Sequence, residues 1–124
     1  MKRHALTMTD ATLARVAGLF RAVGDVGRLK LLSQLLAREA TVTELAASTE
    51  LPMSTVSQQL RLLRAAQLVK RRRSGKRLFY TVAHASVCEL VELAADAAIR
   101  SEAEGTVAWA ATKSAGPDGS SRAR

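Results

Sequence analysis

Residues 43–80 read TELAASTELPMSTVSQQLRLLRAAQLVKRRRSGKRLFY, and this stretch decides the fold. Thr43 and Ser54 are good N-cap residues, and each opens a segment with apolar positions at helical spacing. Between the two segments Pro52 disfavours helix at Leu51 and forces a turn. The spacing therefore predicts a helix-turn-helix followed by a basic β-hairpin, a wing. A helix presented on such a rigid base fits the major groove of DNA.

The second helix divides its labour by face. Val56, Leu60 and Leu63 recur at i, i+4 and i+7 and are expected to face the core. Ser54, Thr55, Ser57, Gln58 and Arg61 then point outward from the first two turns, with no carboxylate among them. Gln can pair with adenine, Arg with guanine, and Ser or Thr with phosphate or a base. An ordinary solvated helix face, the alternative, usually mixes Glu with Lys.

The wing is expected to run along Leu68–Arg73, turn at Ser74-Gly75, and return along Lys76–Val82. Gly75 can supply the positive φ that a tight hairpin needs. Leu78, Tyr80 and Val82 alternate with Arg77, Phe79 and Thr81, the period of a half-buried strand. Lys70, Arg71, Arg72, Arg73, Lys76 and Arg77 bring positive charge with no acid to neutralise it, so a nearby polyanion would stabilise the hairpin. Arg71, Arg72, Arg73, Lys76 and Arg77 are the candidate contacts along phosphates or into a minor groove. Taken alone, a basic run also fits an import signal or a solvated edge strand. Its position directly after a helix-turn-helix favours nucleic acid.

Composition agrees. The chain has 124 residues, with 19 Lys+Arg against 11 Asp+Glu, a net charge of +8. That balance favours a polyanionic partner, and the length allows one domain of modest core completed by a second subunit. Aromatics are only 3%, so stacking on exposed bases is disfavoured and duplex DNA is preferred over single-stranded RNA. The opening MKRHALTMTD lacks the apolar core of a secretory signal, and no run approaches membrane-spanning length. One cysteine permits neither an intrachain disulfide nor a Cys-cluster zinc finger. A cytoplasmic protein without a cofactor is expected.

Around this centre, residues 1–9 read as a loose arm. Thr9 or Asp10 can cap a first helix whose face is Leu13, Val16, Ala17 and Phe20. Gly24-Asp25-Val26-Gly27 interrupts it, and a second helix carries Leu29, Leu32, Leu35 and Leu36 to about Arg38. A long last helix runs from about His84 to Ala103, with Val87, Leu90, Val91, Ala94, Ala97 and Ala98 on one stripe. Its alanines would let another helix approach closely, so pairing of first and last helices across a symmetric dimer is expected, rather than folding back onto its own domain. Two recognition helices would then meet an inverted-repeat site. Residues 10–104 form the expected domain, and the Gly-, Pro- and Ser-containing residues 105–124 a flexible tail. The fold class is mainly α (α+β): about five helices and a two-stranded wing.

From about Leu19 to Arg100 the chain resembles the ArsR/SmtB family of bacterial winged-helix regulators. The resemblance is carried by LFRAVGDVGRLKLLSQL, by TVTELAASTELPMSTVSQQLRLLRAAQLV, and by the wing ending RLFYTV. Within the recognition helix, Ser54, Ser57, Leu60 and Leu63 match the family's Ser-x-x-Ser-x-x-Leu-x-x-Leu spacing. The resemblance implies a homodimeric repressor that leaves operator DNA when an inducer, usually a metal ion, binds. It also implies DNA contacts at Ser54, Thr55, Ser57, Gln58 and Arg61.

The familiar inducer sites do not carry over. Where the family has a Cys-Val-Cys pair, this chain has Thr41-Val42-Thr43, and hydroxyls are poor ligands for soft metals. At the family's second site, across the paired last helices, the register places His84 and Ser86 in one pair and Ala97 and Arg100 in the other. Only His84 is a ligand there, and Arg100 repels cations. Relatives that sense sulfur species use two cysteines, and here there is one. The candidate sensor is then Cys88 with His84 and Glu92, spaced i, i+4, i+8, as a metal site across a dimer axis or as a thiol switch. The plainer alternative is a small buried Cys88 and a helix-start His84. His4 and Trp109 carry little information.

Two other function classes remain. An enzyme with Cys88 as nucleophile and His84 beside it finds no Gly-rich loop, carboxylate pair or orienting group. A non-specific basic architectural protein binding DNA or RNA would share the charge but not the face of the second helix.

Overall fold

The structure is a computed structural model that describes residues 8–105. The first seven residues with His4, and the tail beyond Gly105 with Trp109, lie outside the described residues. Five helices and a hairpin follow in order: α1 Asp10–Val23, α2 Val26–Ala37, α3 Val42–Thr49, α4 Met53–Ala65, β1 Val69–Ser74, β2 Arg77–Val82 and α5 Ala85–Ala103. This is the expected winged helix-turn-helix. Two compact units divide within α5, one ending at Cys88 and the other beginning at Glu89.

The core of the first unit is aliphatic. Leu31, Leu32 and Leu35 of α2, Leu45 of α3, and Val56, Leu60 and Leu63 of α4 are each at most 2% exposed. Burying such a side chain contributes about 1.5–3 kcal/mol, far more than surface polar contacts do. α4 thus buries the face its sequence assigned to the core. In α2 the buried set is shifted: Leu31 joins Leu32 and Leu35, while Leu29 and Leu36 are half-buried. α1 buries none of its residues, and Leu13 and Phe20 stay about half exposed.

The caps correct the sequence reading at two places. α3 is capped by Thr41, not Thr43. The Thr41 hydroxyl accepts from the Glu44 N–H at 3.2 Å, and the Glu44 carboxylate accepts from the Thr41 N–H at 2.9 Å. Glu44 stands three residues after Thr41, and this reciprocal box fixes the start there. α4 starts after Pro52, not at Ser54, without a side-chain cap. The fixed φ of Pro52, −59°, already suits helix entry, and its carbonyl accepts the first helical bond from Val56 at 3.0 Å. The turn between α3 and α4 is made by Glu50 in the left-handed region, φ 61°.

The hairpin is antiparallel, with Val69 opposite Val82 and Ser74 opposite Arg77. The two-residue turn is therefore Gly75-Lys76 rather than Ser74-Gly75. Gly75 takes φ 64° at the first central position, as primed hairpin turns require. A further backbone bridge joins Ala40 to Tyr80, with N–H···O distances of 3.0 and 2.8 Å. It ties the segment before α3 to β2. Tyr80 is buried at 6% exposure.

α4 ends in a Schellman motif. The Leu68 N–H donates to the Leu63 carbonyl and the Gln67 N–H to the Arg64 carbonyl, both at 2.9 Å. The residue in the left-handed position is Gln67, φ 63°, where glycine would be unstrained. The Gln67→Gly variant is expected to raise the unfolding free energy by about 0.5–1 kcal/mol, as released strain outweighs lost backbone entropy. Chemical denaturation of the two proteins checks this.

Candidate nucleic-acid interface

α4 separates its faces sharply. Val56, Leu60 and Leu63 are fully buried, while Ser54, Ser57, Gln58 and Arg61 are exposed and Thr55 is half-buried. Four of the five candidate residues of the helix therefore stand clear of the core, and Thr55 sits at its edge. Ser57, Arg61 and Arg64 form one exposed stripe at i, i+4, i+7. Arg64 is absent from the sequence-based set, although this stripe was readable from spacing.

Gln59, between the two faces, is a half-buried anchor. Its amide oxygen accepts from Arg28 Nη1 at 2.9 Å, and its amide nitrogen donates to Asp25 Oδ2 at 3.4 Å. Arg28 also donates through Nε to the Ala22 carbonyl and through Nη2 to the Arg21 carbonyl, so one guanidinium joins the end of α1 to α4. Asp25 in turn caps α2 by accepting from the Arg28 N–H at 3.0 Å. Gly27 permits this closeness, because a Cβ there would stand 3.2–3.3 Å from Asp25 and Gln59. These residues hold the angle of α4, and no short motif in the sequence announces them.

The wing's charge is distributed differently from the expectation. Arg72 is not free: it makes a two-pronged pair with Glu39, Nε to Oε1 at 3.0 Å and Nη2 to Oε2 at 2.6 Å. Arg77 pairs with Glu44 at 3.5 Å. Both guanidiniums also lie over the Phe79 ring, each 4.9 Å from its centroid, which half-buries a residue on the strand's other face. The acids come from the segment before α3 and from α3 itself, too distant in sequence to be matched with the wing by inspection. Among the described residues, Lys70, Arg71, Arg73 and Lys76 have no acidic partner. The uncompensated charge is therefore carried by these four side chains.

Three basic residues, Arg64, Lys70 and Arg71, line an open cleft together with His84. The candidate sensor residues fall as follows. His84 precedes α5 and is exposed, Cys88 is half-buried, and Glu92 is exposed on α5. The cations around His84 are unfavourable neighbours for a metal ion. Among the described residues, no group of three or more His, Cys, Asp or Glu side chains could hold a metal. Thr41, at the position of the family's cysteine pair, uses its hydroxyl as the α3 cap. Arg100 pairs with Asp96 at 2.8 Å.

Comparison with known proteins agrees with the fold. The family model for bacterial regulatory proteins of the arsR family matches residues 25–71, from the α2 cap through α4 into the wing. A transcriptional repressor SmtB homolog of Synechocystis is 42% identical over 82 residues, 66% of this chain and 62% of that protein. The transcriptional activator HlyU of Vibrio cholerae is 36% identical over 80 residues, 64% of this chain and 74% of its own length. This chain belongs to the ArsR/SmtB family of winged helix-turn-helix regulators. It spans less than two thirds of the Synechocystis repressor's length. A homodimeric winged helix-turn-helix DNA-binding domain from Mycobacterium bovis has a similar fold, with TM-score 0.68 and 31% identity. That match covers 75% of this ArsR-family chain and 89% of the solved one. Among the described residues, no helix is long and apolar enough to cross a membrane.

Hydrogen bonding from Arg72 holds the Glu39 carboxyl below the usual carboxylate range, and the Glu39 carboxylate pushes Arg72 up. The Thr41 backbone N–H, aided by the Arg77 charge, lowers Glu44 as well. Because Glu39 is depressed in the folded state, its contribution is complete above the ordinary glutamate pKa. It disappears as pH falls through the depressed value. Carboxyl NMR titration is expected to give Glu39 a midpoint below an ordinary glutamate, returning toward the ordinary value in Arg72→Ala.

Proposed function

We propose that this protein is a sequence-specific, double-stranded DNA-binding transcriptional repressor of the cytoplasm. It acts as a homodimer on an inverted-repeat operator and leaves when an inducer binds. The observation that carries this reading is the pairing of two surfaces. An exposed, acid-free face of α4 stands beside a wing whose Lys70, Arg71, Arg73 and Lys76 have no acidic partner among the described residues. Ser54, Thr55, Ser57, Gln58 and Arg61 read base edges in the major groove, and Arg71, Arg73 and Lys76 lie along phosphates. Arg72 and Arg77, held by Glu39 and Glu44, set the wing's pose and add charge at shorter range.

The dimer reading rests on unpartnered apolar surface. Leu13 is 47% and Phe20 54% exposed on α1, while Leu93 is 68% and Ile99 65% exposed on α5. Large exposed apolar side chains on two helices call for a partner, and a second copy satisfies both in one symmetric contact. The homodimeric Mycobacterium bovis domain supports this assembly. Residues 10–104 are then the binding and dimerising domain, flanked by an arm and a tail. The input is a thiol switch at Cys88, an atypical metal site assembled across the dimer axis from two copies of His84, Cys88 and Glu92, or a partner protein.

Fluorescence anisotropy on the DNA upstream of its own coding sequence tests the reading. Arg61→Ala is expected to weaken that duplex by about 1–3 kcal/mol while sparing random duplex, whereas Arg71→Ala weakens both alike and flattens the salt dependence. Equal affinity of the unaltered protein for both duplexes would favour a non-specific architectural protein. Repeating the titration with metal ions and with oxidant sorts the inputs: release by one metal, release by oxidation, or neither.

A further inference from the structure

The cleft beside the end of α4 has a volume of about 450 Å³. Buried Val69 lines it together with Arg64, Gln67, Lys70, Arg71 and His84, with no acid among them. None of Arg64, Lys70 and Arg71 has an acidic partner among the described residues. Elsewhere on the wing, Arg72 and Arg77 have been given carboxylates by α3 and the segment before it. Arg64, Lys70 and Arg71 all line this concave surface. Although strand neighbours such as Lys70 and Arg71 leave opposite faces of the hairpin, their like charges around it favour a bound anion.

Two further observations give the cleft an orientation and a shape. Arg64 ends the exposed stripe that begins with Ser57 and Arg61, so the cleft continues the face of α4 that meets DNA. Gln67 holds a left-handed backbone, φ 63°, that costs a non-glycine residue energy, and it is one of the residues lining the cleft. A glycine there would be easier for the backbone and would remove the amide donor.

We propose that this cleft is a phosphate-binding site. Arg64, Lys70 and Arg71 supply the charge, Gln67 and His84 supply further polar groups, and the occupant is a backbone phosphate beside the bases under α4. This inference rests on the DNA-binding reading and deepens it: Arg64 extends the recognition face, and Lys70, Gln67 and His84 become contacts outside that face and the wing tip. The site reads no sequence. It fixes how far along the groove α4 sits.

The test uses the full chain and its Arg64→Ala, Lys70→Ala and Gln67→Gly variants, with Lys30→Ala, an exposed α2 cation, as the control for simple charge loss. Circular dichroism first establishes that each variant is folded. Affinity for upstream and random duplexes is then measured against salt. Arg64→Ala and Lys70→Ala are each expected to weaken both duplexes by the same factor and to reduce the salt slope by about one per chain. Gln67→Gly is expected to weaken both duplexes while folding more stably, and Lys30→Ala to leave the slope unchanged. Pyrophosphate titrated into the DNA-free protein by calorimetry separates the sources of phosphate. Unchanged salt slopes, with pyrophosphate bound by the unaltered protein and lost in both cation variants, would assign the cleft to a free phosphorylated ligand instead of DNA. Unchanged slopes and no pyrophosphate binding would overturn the proposal. If the unaltered protein binds no duplex at all, the DNA-binding reading fails, and pyrophosphate binding still decides whether the cleft takes phosphate.

Discussion

Burial of Val56, Leu60 and Leu63 along one side of α4 is the constraint from which the rest of the first unit follows. These three side chains are fully buried, in a core shared with Leu31, Leu32, Leu35 and Leu45. Truncating a leucine in such a core to alanine costs about 2–5 kcal/mol, a large part of a small domain's stability. With that face fixed inward, helical geometry leaves Ser54, Ser57, Gln58 and Arg61 no choice but to face water or a ligand. Function is thus the unburied remainder of a packing solution.

Polar contacts then refine what packing establishes. Arg28 joins the end of α1 to Gln59 of α4, so the recognition helix and the proposed dimer helix share one guanidinium. Ala40 adds a backbone bridge to Tyr80, and Glu39 beside it takes up Arg72. The wing is therefore fastened to the body by backbone and carboxylates, while the Phe79 ring stacks on guanidiniums within the wing. A cation fastened in this way is positioned rather than free, and on the wing the cations without an acidic partner among the described residues are Lys70, Arg71, Arg73 and Lys76.

Local signals in the sequence were legible. The period of α4, a cap at Thr9 or Asp10 (Thr9 in the structure) and the interruption at Gly24-Asp25 all depend on residues within a few positions of one another. The expected alternation of β2, by contrast, is blunted: only Tyr80 is buried, and Leu78, Phe79, Thr81 and Val82 are all half-buried. Errors arose where two local signals competed. Thr43 looks like a cap until Glu44 is seen to complete a box with Thr41, and Ser54 looks like one until Pro52 supplies the helix entry. Long-range pairings were not legible, because nothing in the order of residues matches Glu39 with Arg72 or Asp25 with Gln59 across more than 30 positions. The charge of the wing could be counted from sequence, but which cations remain uncompensated depends on the fold.

The central claim is that two copies of this chain place two α4 helices in successive major grooves of one DNA site. Hydroxyl-radical footprinting of the full protein on its own upstream DNA tests it most directly. The account expects two protected segments related by a two-fold axis, their centres about 10 base pairs or a multiple apart. A single protected segment, or even protection along the whole fragment, would contradict it.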